Sequence, residues 1–70
     1  PDAHLTESLR RTIEDDGDRL TDLHLWRIGP GHLAAELSVV TGSDRQPVDY
    51  RSRLGRITGL SHVTIEVHRQ

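Results

Sequence analysis

Seventy residues with no cysteine, nine arginines, no lysine and eleven carboxylates make one small domain with a formal net charge of −2. That balance lacks the basic stripe that nucleic-acid binding calls for, and the missing thiols exclude disulfides and thiolate metal sites. A core of Leu, Ile, Val and Ala, helped by one Trp and one Tyr and no Phe or Met, is marginal at this length. Oligomerisation, a bound metal or a larger parent protein is therefore expected to supplement it.

The first segment, PDAHLTESLRRTIEDDG, spaces Leu5, Leu9 and Ile13 at i, i+4 and i+8. This predicts a helix over 4–16 with one apolar stripe, capped by Asp2 or Thr6 and stopped at Gly17. The acidic run Glu14-Asp15-Asp16 falls at its C-terminal end, where the helix dipole disfavours negative charge; it reads as a solvated helix end, with a lure for metal as the alternative. In LTDLHLWRI, Leu23 and Leu25 alternate with Asp22, His24 and Trp26. In HLAAELSVVT, Leu33, Ala35, Leu37 and Val39 alternate with Ala34, Glu36, Ser38 and Val40. Period two over such lengths predicts two strands, and Gly29-Pro30-Gly31 between them predicts an antiparallel hairpin.

Gly42-Ser43-Asp44 reads as a loop, and Pro47 suits the first turn of a second helix with Gln46 or Asp44 near its cap. Pro47, Tyr50, Leu54 and Ile57 share one face, so the helix is expected to end near Gly59, with Gly55 inside it at a cost of about 1 kcal/mol. The last run, LSHVTIEVHRQ, alternates again. Val63, Ile65 and Val67 face the core, and His62, Thr64, Glu66 and His68 face away. Helix, strand, strand, helix, strand is an α+β order. A right-handed crossover makes the third strand parallel to the second, giving a three-stranded mixed sheet with both helices on one face and the other face open.

That open face carries Asp22, His24 and Trp26 on the first strand, Ala34, Glu36 and Ser38 on the second, and His62, Thr64, Glu66 and His68 on the third. Strands lie about 4.8 Å apart, so imidazoles and carboxylates on neighbouring strands are candidate ligands for one ion. Histidine with carboxylate and no thiolate suits Zn²⁺, Co²⁺, Ni²⁺ or Fe²⁺ better than Ca²⁺ or Mg²⁺. Trp26, an exposed indole on a polar sheet, reads as a protein-interface element. Catalysis is not expected: there is no GxSxG, no glycine-rich phosphate loop and no HExxH. No run is long and apolar enough for a membrane span or a signal peptide.

DLHLWRIGPGHLAAELSVVT, followed by the Pro-x-x-Tyr of Pro47–Tyr50 and by LSHVTIEVH, resembles the cytoplasmic C-terminal domain of cation diffusion facilitator (cation efflux) transporters over about residues 5–69. The D-L-H-x-W of Asp22–Trp26 and the H-V-T-I-E-V-H of His62–His68 carry most of the likeness. The resemblance implies a ferredoxin-like, metallochaperone-like open-faced sandwich forming a homodimer at the cytoplasmic face of the cell (inner) membrane. The transmembrane domain of the parent transporter, outside residues 1–70, would exchange Zn²⁺ or a similar ion (Co²⁺, Ni²⁺, Fe²⁺ or Cd²⁺) for protons. The cytoplasmic domains would bind the same kind of ion near their interface as a regulatory switch. Glu36, Glu66 and His68 match the places from which such domains draw ligands. Thr21 stands where many relatives have a histidine, and Glu36 where histidine is frequent. His24 is added from the strand alternation as the replacement first-strand ligand. Two other expectations compete: a dimerisation module in which metal plays no part, and a free-standing domain binding a small molecule on the open face.

Overall fold

The computed structural model describes residues 3–70, so the Asp2 cap lies outside the described residues. Helix α1 (Ala3–Ile13) tightens into a 3₁₀ turn at Glu14–Asp16, and strands β1 (Arg19–Gly29) and β2 (His32–Thr41) follow. Helix α2 (Pro47–Leu54) and strand β3 (Leu60–Arg69) complete the α-β-β-α-β order. The sheet runs β1-β2-β3, antiparallel then parallel. This is the expected α+β open sandwich, and β2 matches its predicted ten residues.

Burial explains why the helices dock as they do. Leu9 and Ile13 on α1 and Tyr50 and Leu54 on α2 are buried against Ala35, Leu37, Val39 and Ile65 of the sheet. Each fully buried aliphatic side chain contributes about 1.5–3 kcal/mol. Leu5, Ile57, Val63 and Val67 pack around the rim as partly buried neighbours. Gly17 ends the first helical segment in the left-handed region at φ 83°, with its N–H bonded to the Glu14 carbonyl, and Gly31 supplies φ 73° in the hairpin turn.

Two boundaries differ from the sequence expectation. Helix α2 stops at Leu54, and Gly55 is its C-cap in ordinary helical geometry (φ −60°, ψ −15°), not an interior residue. Ile57 keeps its place beside the core from the turn that follows. Strand β1 also breaks its alternation at Thr21, where the register with β2 slips between Leu20 and Asp22. The bulge puts Leu20 on the core side together with Leu23, so Leu20 is buried at 7 % exposure. An unbroken period of two would have sent it outward.

The acidic run after α1 is used in three ways. Glu14 accepts the Leu20 N–H at 2.9 Å, which ties the helix end to the start of β1. Asp16 pairs with Arg53 at 3.0 Å and Arg45 at 3.5 Å. Arg53 also donates to the Thr12 and Ile13 carbonyls, each at 3.4 Å, as basic side chains do at helix C-termini. Asp15 alone is the solvated end expected of the whole run, being exposed.

Candidate functional site

Register arranges the open face in four rows. Trp26, Ala34 and His62 form the first, and His24, Glu36 and Thr64 the second. Asp22, Ser38 and Glu66 form the third, and Arg19, Val40 and His68 the fourth. Ala34 is only 2 % exposed although it lies outside the core cluster. It is a small residue in a row whose flanking members, Trp26 and His62, stand taller. Trp26 itself is 48 % exposed and Ile28 51 %.

All four predicted ligands, His24, Glu36, Glu66 and His68, are exposed, and all stand on this face. Within one chain they form no single cluster. His24 and Glu36 are direct cross-strand partners, whereas His68 lies two strands and two rows from His24. With about 4.8 Å between strands and 3.3 Å per residue, that is about 16 Å between Cα atoms, too far for one ion. Among the described residues no group of three or more His, Cys, Asp or Glu is placed to hold a metal.

The structure instead pairs each imidazole with a carboxylate two residues away on the same strand. His24 Nε2 lies 3.1 Å from Asp22 Oδ2, and His68 Nε2 lies 2.8 Å from Glu66 Oε1. Ser38 Oγ donates to the same Glu66 oxygen at 3.3 Å. The D-x-H and E-x-H spacings in the sequence are the signal for these pairs, because i and i+2 share a strand face. Ligands at 2.0–2.1 Å on a tetrahedral ion are about 3.3 Å apart. Each pair is therefore within about half an ångström of the spacing at which two ligands chelate one divalent cation. The donor chemistry fits such an ion, but each pair supplies only half a coordination sphere. A third pair, His32 Nδ1 and Ser61 Oγ at 2.6 Å, joins the start of β2 to β3 and has no carboxylate.

A second polar cluster lies on the helix side, and the alternation gave no sign of it. Asp18, 5 % exposed, accepts hydrogen bonds from Arg45 Nε at 2.9 Å and from the buried Tyr50 hydroxyl at 2.6 Å. Burial alone would raise the Asp18 pKa, but hydrogen bonds from Arg45, Tyr50 and Thr41 outweigh it and bring it from 3.8 down to about 2. The same bond to Asp18 raises the Arg45 guanidinium above its ordinary value. The signal available in the sequence was Tyr50 on the apolar face of α2, since a buried phenol needs a hydrogen-bond partner.

The fold and this face together define a ferredoxin-like α+β open sandwich whose uncovered sheet presents histidine–carboxylate pairs. Comparison with protein-family models, with curated proteins and with solved structures gives no match for this chain. Among the described residues no helix is long and apolar enough to cross a membrane.

Proposed function

We propose that this domain is the dimerising, metal-responsive cytoplasmic part of a divalent-cation efflux transporter, in which bound ion favours one arrangement of two copies and so biases transport. The observation that carries the reading is the open face itself. Two histidine–carboxylate pairs, at 3.1 and 2.8 Å, stand solvent-exposed, with an exposed tryptophan, on the sheet face opposite the two helices. The likeness of Asp22–Trp26 and His62–His68 to cation diffusion facilitator domains supports the same conclusion. The transported ion is the substrate of the membrane part. Here the ion acts as a ligand that shifts a population by binding one arrangement better than another. His68 and Glu66 would supply two ligands of one site, with Glu36 on the neighbouring strand, and Asp22 and His24 would supply two ligands of a separate one on β1.

Isothermal titration with Zn²⁺, Co²⁺ and Ni²⁺ on the wild-type chain and on His68→Ala tests the metal half of this reading. Binding in the wild type and a weaker or lost site in the variant are expected. No heat above background, or no change in the variant, removes it. The half-filled coordination sphere of each pair favours one competing reading, a dimerisation module to which metal is incidental. Identical dimer dimensions by small-angle scattering with and without Zn²⁺ would decide for that alternative.

A further inference from the structure

We propose that the β1–β2 hairpin end of the sheet docks on an anionic phospholipid surface, with Trp26 and Ile28 entering the headgroup layer and Arg27 and Arg56 facing lipid phosphates. The surface is separate from the histidine–carboxylate pairs and spans nothing.

The hairpin carries the sheet past the packed core. Strand β1, with 11 residues, is about 36 Å long, whereas the 11 residues of α1 cover about 16 Å. No residue from Thr21 to Leu33 is buried, and the molecule measures 37 Å along its long axis against 20 and 18 Å across. Among the described residues, two of the three large apolar side chains left exposed lie in this stretch, Trp26 at 48 % and Ile28 at 51 % exposure. Pro30 is exposed at the turn. A narrow convex end offers a folded partner little area, less than the roughly 1,000 Å² of a specific protein interface. A bilayer surface deforms around such an end, and an indole, apolar with one N–H donor, is the side chain that prefers the headgroup level.

Charge selects an anionic surface. Residues 23–35 and 50–65 contain none of the chain's eleven carboxylates and four of its nine arginines. The two segments meet at this end, where the Leu33 N–H donates to the Gly59 carbonyl at 2.8 Å and Ala34 pairs with His62. Arg51 and Arg53 are committed to the Val63 carbonyl and to Asp16. Arg27 and Arg56 are exposed, and among the described residues neither forms an ion pair. On α1, Glu7 pairs with Arg11 at 3.5 Å, and on the open face Glu36 stands one row inward of Ala34. The rest of the chain therefore carries the whole negative excess, so the field of an anionic bilayer turns the hairpin end towards it. Each arginine brought to such a surface strengthens binding about fivefold.

Titrating the 70-residue chain with phospholipid vesicles tests this directly, because Trp26 is its single tryptophan and serves as the reporter. With vesicles of phosphatidylcholine and phosphatidylglycerol at millimolar lipid, Trp26 emission should move to shorter wavelength and the protein should float with the vesicles. Phosphatidylcholine alone should produce neither effect. Arg27→Gln combined with Arg56→Gln should weaken binding about thirtyfold, and added salt should weaken the wild type. Ile28→Ser should also weaken it, and Trp26→Ala should reduce flotation, both with the wild-type circular dichroism spectrum. No flotation with the anionic vesicles overturns the proposal, as does equal binding to phosphatidylcholine alone. An emission shift that grows with protein concentration in the absence of lipid assigns Trp26 to contact with a second copy and overturns it too. Zn²⁺ titration of the same hairpin variants reads the His68 pair independently, so failure of the lipid surface and failure of the proposed function are distinguished.

Discussion

Replacing Asp18 by asparagine tests how this small domain holds its helices to its sheet. The carboxylate joins the start of β1 to Arg45 in the loop after β2 and to Tyr50 in α2, at 2.9 and 2.6 Å. Its folded pKa of about 2 against 3.8 means that the ionised form is stabilised by folding, by about 2 kcal/mol at neutral pH. The sign follows from the direction of the shift. A depressed carboxylate keeps its full contribution above pH 3.8 and loses it as pH falls through about 2. The asparagine side chain would still accept from one neighbour, but its amide N–H groups would face the guanidinium. Removing one partner of a buried pair costs about 3–5 kcal/mol. Arg45 has a quarter of its side chain exposed and keeps Asp16 at 3.5 Å. The cost here should therefore be about 2–3 kcal/mol, at or just below the lower end of that range.

Total stability for a chain of this length is about 4–10 kcal/mol, so the loss is large enough to read by urea denaturation followed by circular dichroism. At pH 7 the Asp18→Asn midpoint should fall with little change in slope. Between pH 4 and pH 2 the gap between wild type and variant should narrow, because the wild-type carboxylate is being protonated while asparagine has nothing to titrate. Comparing the two chains at each pH cancels the other carboxylates, which titrate in both. A gap that stays constant from pH 7 to pH 2 would refute the assignment of stability to the ionised Asp18. So would a loss of less than about 0.5 kcal/mol at pH 7.

Two further substitutions probe the rest of the frame. Ile13→Ala, at a side chain with no exposure, should cost about 2–5 kcal/mol, and a thermal melt should show a strongly lowered or missing transition. Gly17→Ala must hold φ 83° with open space around the new Cβ, so it should cost about 1–2 kcal/mol from backbone strain alone. A melt unchanged from wild type would show that the left-handed cap is not required.

Local periodicity made most of this fold legible. The hairpin, the face assignments of Leu23, Leu25, Val63, Ile65 and Val67, and the start of α2 at Pro47 all follow from spacing and turn chemistry. Features produced by competition between neighbouring elements were not visible. Helix α2 ends at Leu54 and not at Gly59, because Gly55 closes it and the chain must turn back towards β3; apolar spacing alone continued through Ile57. Leu20 joins the core only because the Thr21 bulge inserts one residue, and no residue type announces that insertion. Asp18, Arg45 and Tyr50 are separated by 27 and 32 positions in the hydrogen bonds that join them, beyond the reach of any local pattern. On the open face, alternation placed each candidate ligand on the correct side. It did not reveal that the four form no single cluster, because that depends on register between strands.

The packed core and the exposed histidine–carboxylate pairs occupy opposite faces of this sheet. The core cluster and the Asp18 hub lie on the helix side. In the His24–Asp22 and His68–Glu66 pairs, each side chain is at least half exposed. Exposed ion pairs contribute about 0–1 kcal/mol, so substitutions at His24 or His68 should leave the fold almost untouched. A change in metal binding or self-association in those variants then reports on the face itself and not on a damaged domain. The same division accounts for the half-covered leucines of β1. A 70-residue chain with two short helices over its sheet has little apolar material left for the outer edge.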